Sequence, residues 1–294
     1  MGGIDRHAGV GVVTRRVKWL ASLGMVAVLG IGAATALAPS AFARPRPRHV
    51  HVHTASVTAT APVTTASFNF TASVSGLSKG LGTISFSGSG QADLVNDAVS
   101  VSVTLPASVA KLIPGGSGGS EVVNAVLSGG TVYVNVPSLA TLLGAPWISV
   151  ALPSSATSAI LGIVTEVGGA LGNVNEIVAF AQSHHASVRS LGSSMVDGTS
   201  VTGDRITAHV KRLNLVATLW ANSSGQLVQA EVAGGLGAGH RIGFSAVVDL
   251  SGYGAPVSIT APPSSQVRAI PLSVVTSVLG GLLKSAHLGH GAKH

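Results

Sequence analysis

Two segments of the chain could present a nucleophilic serine, Gly76-Leu77-Ser78-Lys79-Gly80 and Gly115-Gly116-Ser117-Gly118-Gly119. A Gly-x-Ser-x-Gly elbow works because a sharp strand-to-helix turn throws the serine toward a partner histidine. The first segment sits instead in a turn between two alternating stretches, and the second in a low-complexity Gly/Ser loop. In a chain with 38 glycines both read as chance matches. Ser108-Val109-Ala110-Lys111 matches Ser-x-x-Lys, but neither Lys-Thr-Gly nor Ser-Asp-Asn follows it, so penicillin-binding chemistry fails. No catalytic residue is assigned, and the chain reads as a non-enzyme.

Acid–base and metal chemistry fare no better. Nine of the ten acidic residues lie beyond the first 43 positions, and no two form a catalytic pair. Asp93 and Asp97 bracket one turn, Asp197 and Asp204 are expected to bracket another, and Glu166 and Glu176 fall on polar helix faces. His49, His51 and His53 alternate in an extended pattern that would place three imidazoles on one side. They lie in a segment with nothing to orient them, so the metal reading is incidental. His184 and His185 suit a helix C-terminus. With 0 cysteines, thiolate metal sites and disulfides are excluded, and no metal or cofactor is expected.

What must position any site is a chain of unusual composition: 46% hydrophobic and 9% charged over 294 residues, against a usual charged share of about 25%. Its surface therefore has to be built from Ser, Thr, Asn and Gly. The net charge of +7 resembles a nucleic-acid signature until the cations are located: Arg6, Arg15, Arg16 and Lys18 come early, and Arg44, Arg46 and Arg48 follow. The remainder is near balance, with no basic stripe and no interleaved aromatics, which excludes nucleic acid as the expected partner.

Residues 1–43 read as a signal peptide: Arg15, Arg16 and Lys18, an apolar run from Trp19 to Ala38, Pro39, then Ala41-Phe42-Ala43 with cleavage expected after Ala43. An uncleaved membrane anchor is the competing reading. The location expected is therefore the periplasm, cell envelope or exterior. Residues 44–65 form a Pro/Arg/His/Thr tail, 66–285 the folded domain and 286–294 a Gly/His tail.

Within 66–285 alternation dominates. Phe68, Phe70, Ala72 and Val74 oppose Ser67, Asn69, Thr71 and Ser73; Ile84 to Leu94 and Val99 to Leu105 repeat the pattern, and short turns make these three segments a meander. Further strands are expected at 121–127, 131–136, 147–152, 195–201, 205–212, 215–221, 226–232, 241–250 and 256–260. Ser154 to His184 changes period, with Ile160, Ile163, Val164, Val167 and Leu171, then Ile177, Val178 and Phe180 after a cap at Asn173 or Asn175, giving two amphipathic helices. A short helix at 107–113 and a last one at 271–285 complete the pattern. The fold class is α+β, about ten antiparallel strands with few helices. Small side chains on a bent sheet leave room for an apolar ligand, while a core filled by the chain itself remains equally open.

The order of pieces resembles the LppX/LprG-type lipoproteins of mycobacteria and their actinobacterial relatives, which share the LolA/LolB-like fold. The pieces are SFNFTASVSG, GSGQADL, GGTVYVNVP, APWISVAL, VDGTSVTG, LWANSSGQLVQAEV and VDLSGYGAPVSITAPPSSQV, spread over Ala66 to Val267. The resemblance implies a curved half-barrel whose hydrophobic cavity takes acyl chains of lipid or glycolipid. Its lining is expected from Phe70, Val134, Trp147, Trp220 and Phe244 of the sheet and Ile160, Ile163, Val164, Val167, Ile177 and Phe180 of the helices. The chain departs from the family in lacking an acylated cysteine, so a soluble monomeric carrier, or one associated with a membrane surface through its leader and Arg44 to Arg48, is expected.

Overall fold

The computed structural model describes residues 63–76, 82–111, 113, 115–116, 118–152, 173–210, 213–236 and 242–271. Alternation of apolar and Ser/Thr positions becomes strand after strand: β1 (Thr65–Ser75), β2 (Ile84–Asp93), β3 (Ala98–Leu105), β4 (Glu121–Ser128), β5 (Thr131–Asn135), β6 (Trp147–Ala151), β7 (Ser187–Val196), β8 (Thr199–Val210), β9 (Leu213–Ala221), β10 (Leu227–Leu236), β11 (Ile242–Ser251) and β12 (Val267–Ala269). They form one open sheet ordered β12-β6-β5-β4-β3-β2-β1-β11-β10-β9-β8-β7. Two meanders, β1 to β6 and β7 to β11, therefore meet along β1–β11, and among the described residues β12 is the one strand that pairs in parallel, on β6. Among the described residues the α-helices are α1 (Ala107–Ala110), α2 (Ala140–Leu143) and α3 (Val174–Ser183). This is the α+β, mostly antiparallel class read from the sequence.

The register sorts the strands from β6 through β1 to β9 into an apolar and a polar face. Phe68 pairs with Leu250 and Gly90, Phe70 with Val248 and Gly88, and Ala72 with Ala246 and Phe86, so one face is continuous across β11, β1 and β2. Asn69, Thr71 and Ser73 point the other way. Two clusters cover the apolar face. Val174, Ile177, Val178 and Ala181, the stripe expected of an amphipathic helix, set α3 against Ile206, Leu219 and Leu250. Val109 and Ile113 close over Phe70, Ile84, Val103 and Leu105. Asn173 caps α3, its Oδ1 accepting from the Asn175 N–H at 3.2 Å, with Glu176 in the first turn beside the positive helix end.

The sheet departs from the sequence reading in its second half: the strand expected at 195–201 is split between β7 and β8, and neither 187–194 nor β12 is among the expected strands. Asp197 and Asp204 do not bracket a turn: the turn is Asp197-Gly198, both at positive φ (45° and 78°), and β8 runs straight through Gly203 and Asp204. Gly203 is in the strand for a different reason, since a Cβ there would come within 2.3 Å of the Trp220 ring. Residues 256–260 are not a strand either; the chain runs on to the short β12. Asp93 does make its expected turn, accepting at Oδ1 from the N–H groups of Val95 and Asn96, with Asp97 at φ 50°. The Asn96 side chain also donates to its Oδ2, and these bonds hold the Asp93 carboxyl below its ordinary pKa.

Tyr253 ties the end of β11 back to β10 by donating its hydroxyl to the Leu227 carbonyl. Burial pushes its phenol above the ordinary 10.0. The unfolded chain ionises this group at about pH 10 while the folded chain does not, so stability should fall as pH rises past about 10. Tyr253→Phe is expected to flatten that alkaline decline and to cost about 1 kcal/mol at neutral pH, through the lost hydrogen bond. Urea unfolding at pH 7 and at alkaline pH checks both; an unchanged alkaline slope would show that another group controls it.

Candidate functional site

The expected lining does not converge on one side of the sheet. Phe70, Val134 and Phe244 share the apolar face: Val134 pairs with Ala125, which pairs with Val101, which faces Gly90 and so Phe68, and Phe244 pairs with Val74. Trp147 and Trp220 stand on the polar face. Trp147 pairs with Asn135, and through it with Asn124 and Ser102. Trp220 pairs with Gln229 and Gly203, and its Nε1 donates to Glu231 Oε1 at 3.4 Å. The physical reason is parity: in Trp147-Ile148-Ser149-Val150 the indole shares its side with Ser149, and Trp220 shares its side with Thr218.

Of the helical residues, Ile177 packs against the apolar face. Phe180 does not. It is 44% exposed, off the packed stripe, with its ring 4.1 Å from that of His184. His184 follows the helix, its Nδ1 within 2.9 Å of the Phe180 carbonyl oxygen. Ile160, Ile163, Val164 and Val167 lie outside the described residues, as do Ser78, Ser117, the three alternating histidines and the leader.

On the apolar face the aromatic rings lie down rather than stand up. A Cβ on Gly88 would meet the Phe70 ring at 2.6 Å, one on Gly90 the Phe68 ring at 2.3 Å, and one on Gly234 the Phe244 ring at 2.4 Å. A ring laid over a cross-strand glycine shields the bare backbone and lets the strand bend. Nothing in strand alternation alone marks these glycines as ring seats; the Phe-x-Phe of β1 facing the Gly-x-Gly of β2 is the signal that could have done so. Between these rings and the β6 edge lies a different surface. Val101, Ala125, Val134 and Ile148 form one cross-strand row over four strands, and each is only half-buried. Toward the opposite edge, Asp204 pairs with Leu219 on this face, and burial raises its carboxyl pKa.

Among the described residues no three of His, Cys, Asp and Glu come close enough to hold a metal ion, and no helix is long and apolar enough to cross a membrane. The arrangement offers apolar contact on one face and polar, sparsely charged hydrogen bonding on the other.

No family model matches the chain, and no curated protein matches it in sequence. Among solved structures it is similar to the crystal structure of Mycobacterium tuberculosis lipoprotein LppX, with 18% identity and a TM-score of 0.37 over 67% of this chain and 90% of that one. It is also similar to a putative outer membrane lipoprotein-sorting protein domain from Vibrio parahaemolyticus, with 8% identity and a TM-score of 0.22 over 66% of this chain and 87% of that one.

Proposed function

We propose that this is an exported, non-catalytic protein of the cell envelope that binds or carries acyl chains of lipid or glycolipid against the apolar face of its sheet. The observation that carries the reading is the half-buried row Val101, Ala125, Val134 and Ile148, beside a face already sealed by Phe68, Phe70 and α3. Apolar surface of this kind gains about 0.8 kcal/mol for each methylene it takes out of water, and a flexible tail needs no shaped polar partner. The leader of residues 1–43 supports export.

Organic extraction of the purified protein followed by mass spectrometry should yield acyl lipid, and a fluorescent acyl probe should bind saturably. Val134→Asp places a carboxylate in the row and is expected to weaken probe binding at least tenfold while leaving the circular dichroism of the sheet intact. A clean extract together with no probe uptake would overturn the reading. A second reading, an envelope interaction protein with a filled core, is favoured by the rings seated on Gly88, Gly90 and Gly234, which occupy the hollow around β1, β2, β10 and β11. The two differ in whether the half-buried row accepts a ligand.

A further inference from the structure

Both tryptophans of the described residues occupy the same cross-strand row of the polar face, one near each end. From Trp147 on β6 the register steps through Asn135, Asn124, Ser102 and Ser89 to Asn69 on β1. It continues through Asp249 and Gln229 to Trp220 on β9. The row crosses nine strands, roughly 38 Å at about 4.8 Å per strand. Asp249 is its one charged member, and the Gln229 amide donates to its Oδ1 at 2.7 Å.

This face is indented. An open groove of about 540 Å3 lies over β1 to β4 and reaches Trp147; Ser67, Asn69, Gln91, Ser100, Ser102 and Asn124 line it together with apolar Phe68, Val101 and Val126, and no charged residue does. A second groove of about 400 Å3 on the same face combines Thr71, Ser73, Ser85, Ser87, Thr104 and Ser245 with apolar contributions from Phe86, Pro106 and Val247. Asn69, Ser89 and Gln91 are exposed, and their side chains have no hydrogen-bond partner among the described residues.

We propose that this row is a binding track for a linear, uncharged polysaccharide. A sugar ring presents hydroxyls that both donate and accept, which Ser, Asn and Gln match in kind. Its C–H face carries weak positive charge and rests on the negative face of an indole. The spacing between strands is close to the length of one pyranose ring, so a chain laid across the strands meets a fresh polar side chain at each ring. The groove over β1 to β4 has no charged residue in its lining, and the one charged member of the row, Asp249, repels phosphate, so nothing on the track attracts a phosphate backbone. A peptide adding as a strand needs a sheet edge, and the groove lies over the middle of the sheet, away from β7 and β12.

The test titrates the full chain with linear neutral hexasaccharides, cellohexaose and mannohexaose among them, by calorimetry and by intrinsic fluorescence. Apart from Trp19, the only tryptophans are Trp147 and Trp220, so fluorescence reports on the track itself. At least one hexasaccharide should bind saturably, and its trisaccharide at least tenfold more weakly. Trp147→Ala should weaken binding at least tenfold. Ser89→Glu, at an exposed position that leaves the apolar face untouched, should do the same and reports even where Trp147→Ala fails to fold. Absence of heat and fluorescence change with every hexasaccharide at millimolar concentration overturns the proposal, and so does unaltered binding by the folded variants.

Discussion

Gly88→Ala is expected to cost about 3 kcal/mol of stability, the upper end of what overpacking exacts, and to be read as a fall in the urea midpoint at constant slope. The added Cβ would come within 2.3 Å of the Ser102 carbonyl oxygen as well as 2.6 Å of the Phe70 ring. A side chain can turn aside, but a carbonyl paired into the ladder cannot, so strand β3 must shift. Combining Gly88→Ala with Phe70→Leu should therefore recover little. Gly203→Ala makes the informative contrast: the three atoms nearest its Cβ all belong to the Trp220 ring, and Trp220→Leu should recover most of the loss. A double-mutant cycle measures the difference directly. Equal rescue at both sites would show that ring seating, rather than strand approach, sets the cost.

Phe70→Ala is expected to lose about 3–5 kcal/mol, the usual cost of emptying an aromatic site in a core. Phe70 is 5% exposed and touches the cluster of Ile84, Val103, Leu105, Val109 and Ile113. Because a domain has only about 5–15 kcal/mol in hand, this single change should bring the protein close to unfolding at 37 °C. Thermal unfolding followed by circular dichroism tests it; a melting temperature shift of less than a few degrees would mean that the ring is not the keystone of that cluster. The outcome also bears on ligand binding. A residue this enclosed acts through the shape of the face, so folded Phe70→Leu should leave acyl-probe affinity within about twofold, while Val134→Asp should not.

The first meander was legible because Ser and Thr fill nearly every outward position, which makes the period of two visible from Phe68 to Leu105. The second was less so. The strand Ser187–Val196 carries Arg189, Gly192 and little apolar character, and it is exposed on both sides, so no alternation announces it. Two aspartates seven positions apart suggest a turn between them, but Gly203 lies inside β8 and seats an indole from the neighbouring strand; that requirement is set by a residue 17 positions away and is invisible locally. The family resemblance implies inward tryptophans, and the register turns both outward. Their neighbours Ile148 and Leu219 gave the correct answer by parity, and parity is the stronger rule where one face must be dry. Phe180 misled in the same way, since a helix of ten residues buries one stripe and Val174, Ile177, Val178 and Ala181 already filled it.

The join between the two meanders has a temporal consequence. Strand β1 lies mid-sheet, and its partner on one side is β11; the Thr65 hydroxyl even reaches the carbonyl of Ala255, 190 residues along the chain. A chain made or threaded from its N-terminus therefore exhibits one bare flank of β1 until Ile242–Ser251 has emerged. During that interval a row of unpaired amides beside Phe68 and Phe70 is open to any extended peptide nearby. Closure of so distant a contact is slow, which makes this molecule a natural client for whatever holds unfinished sheets apart, and makes any truncation before Ile242 a recipe for self-association.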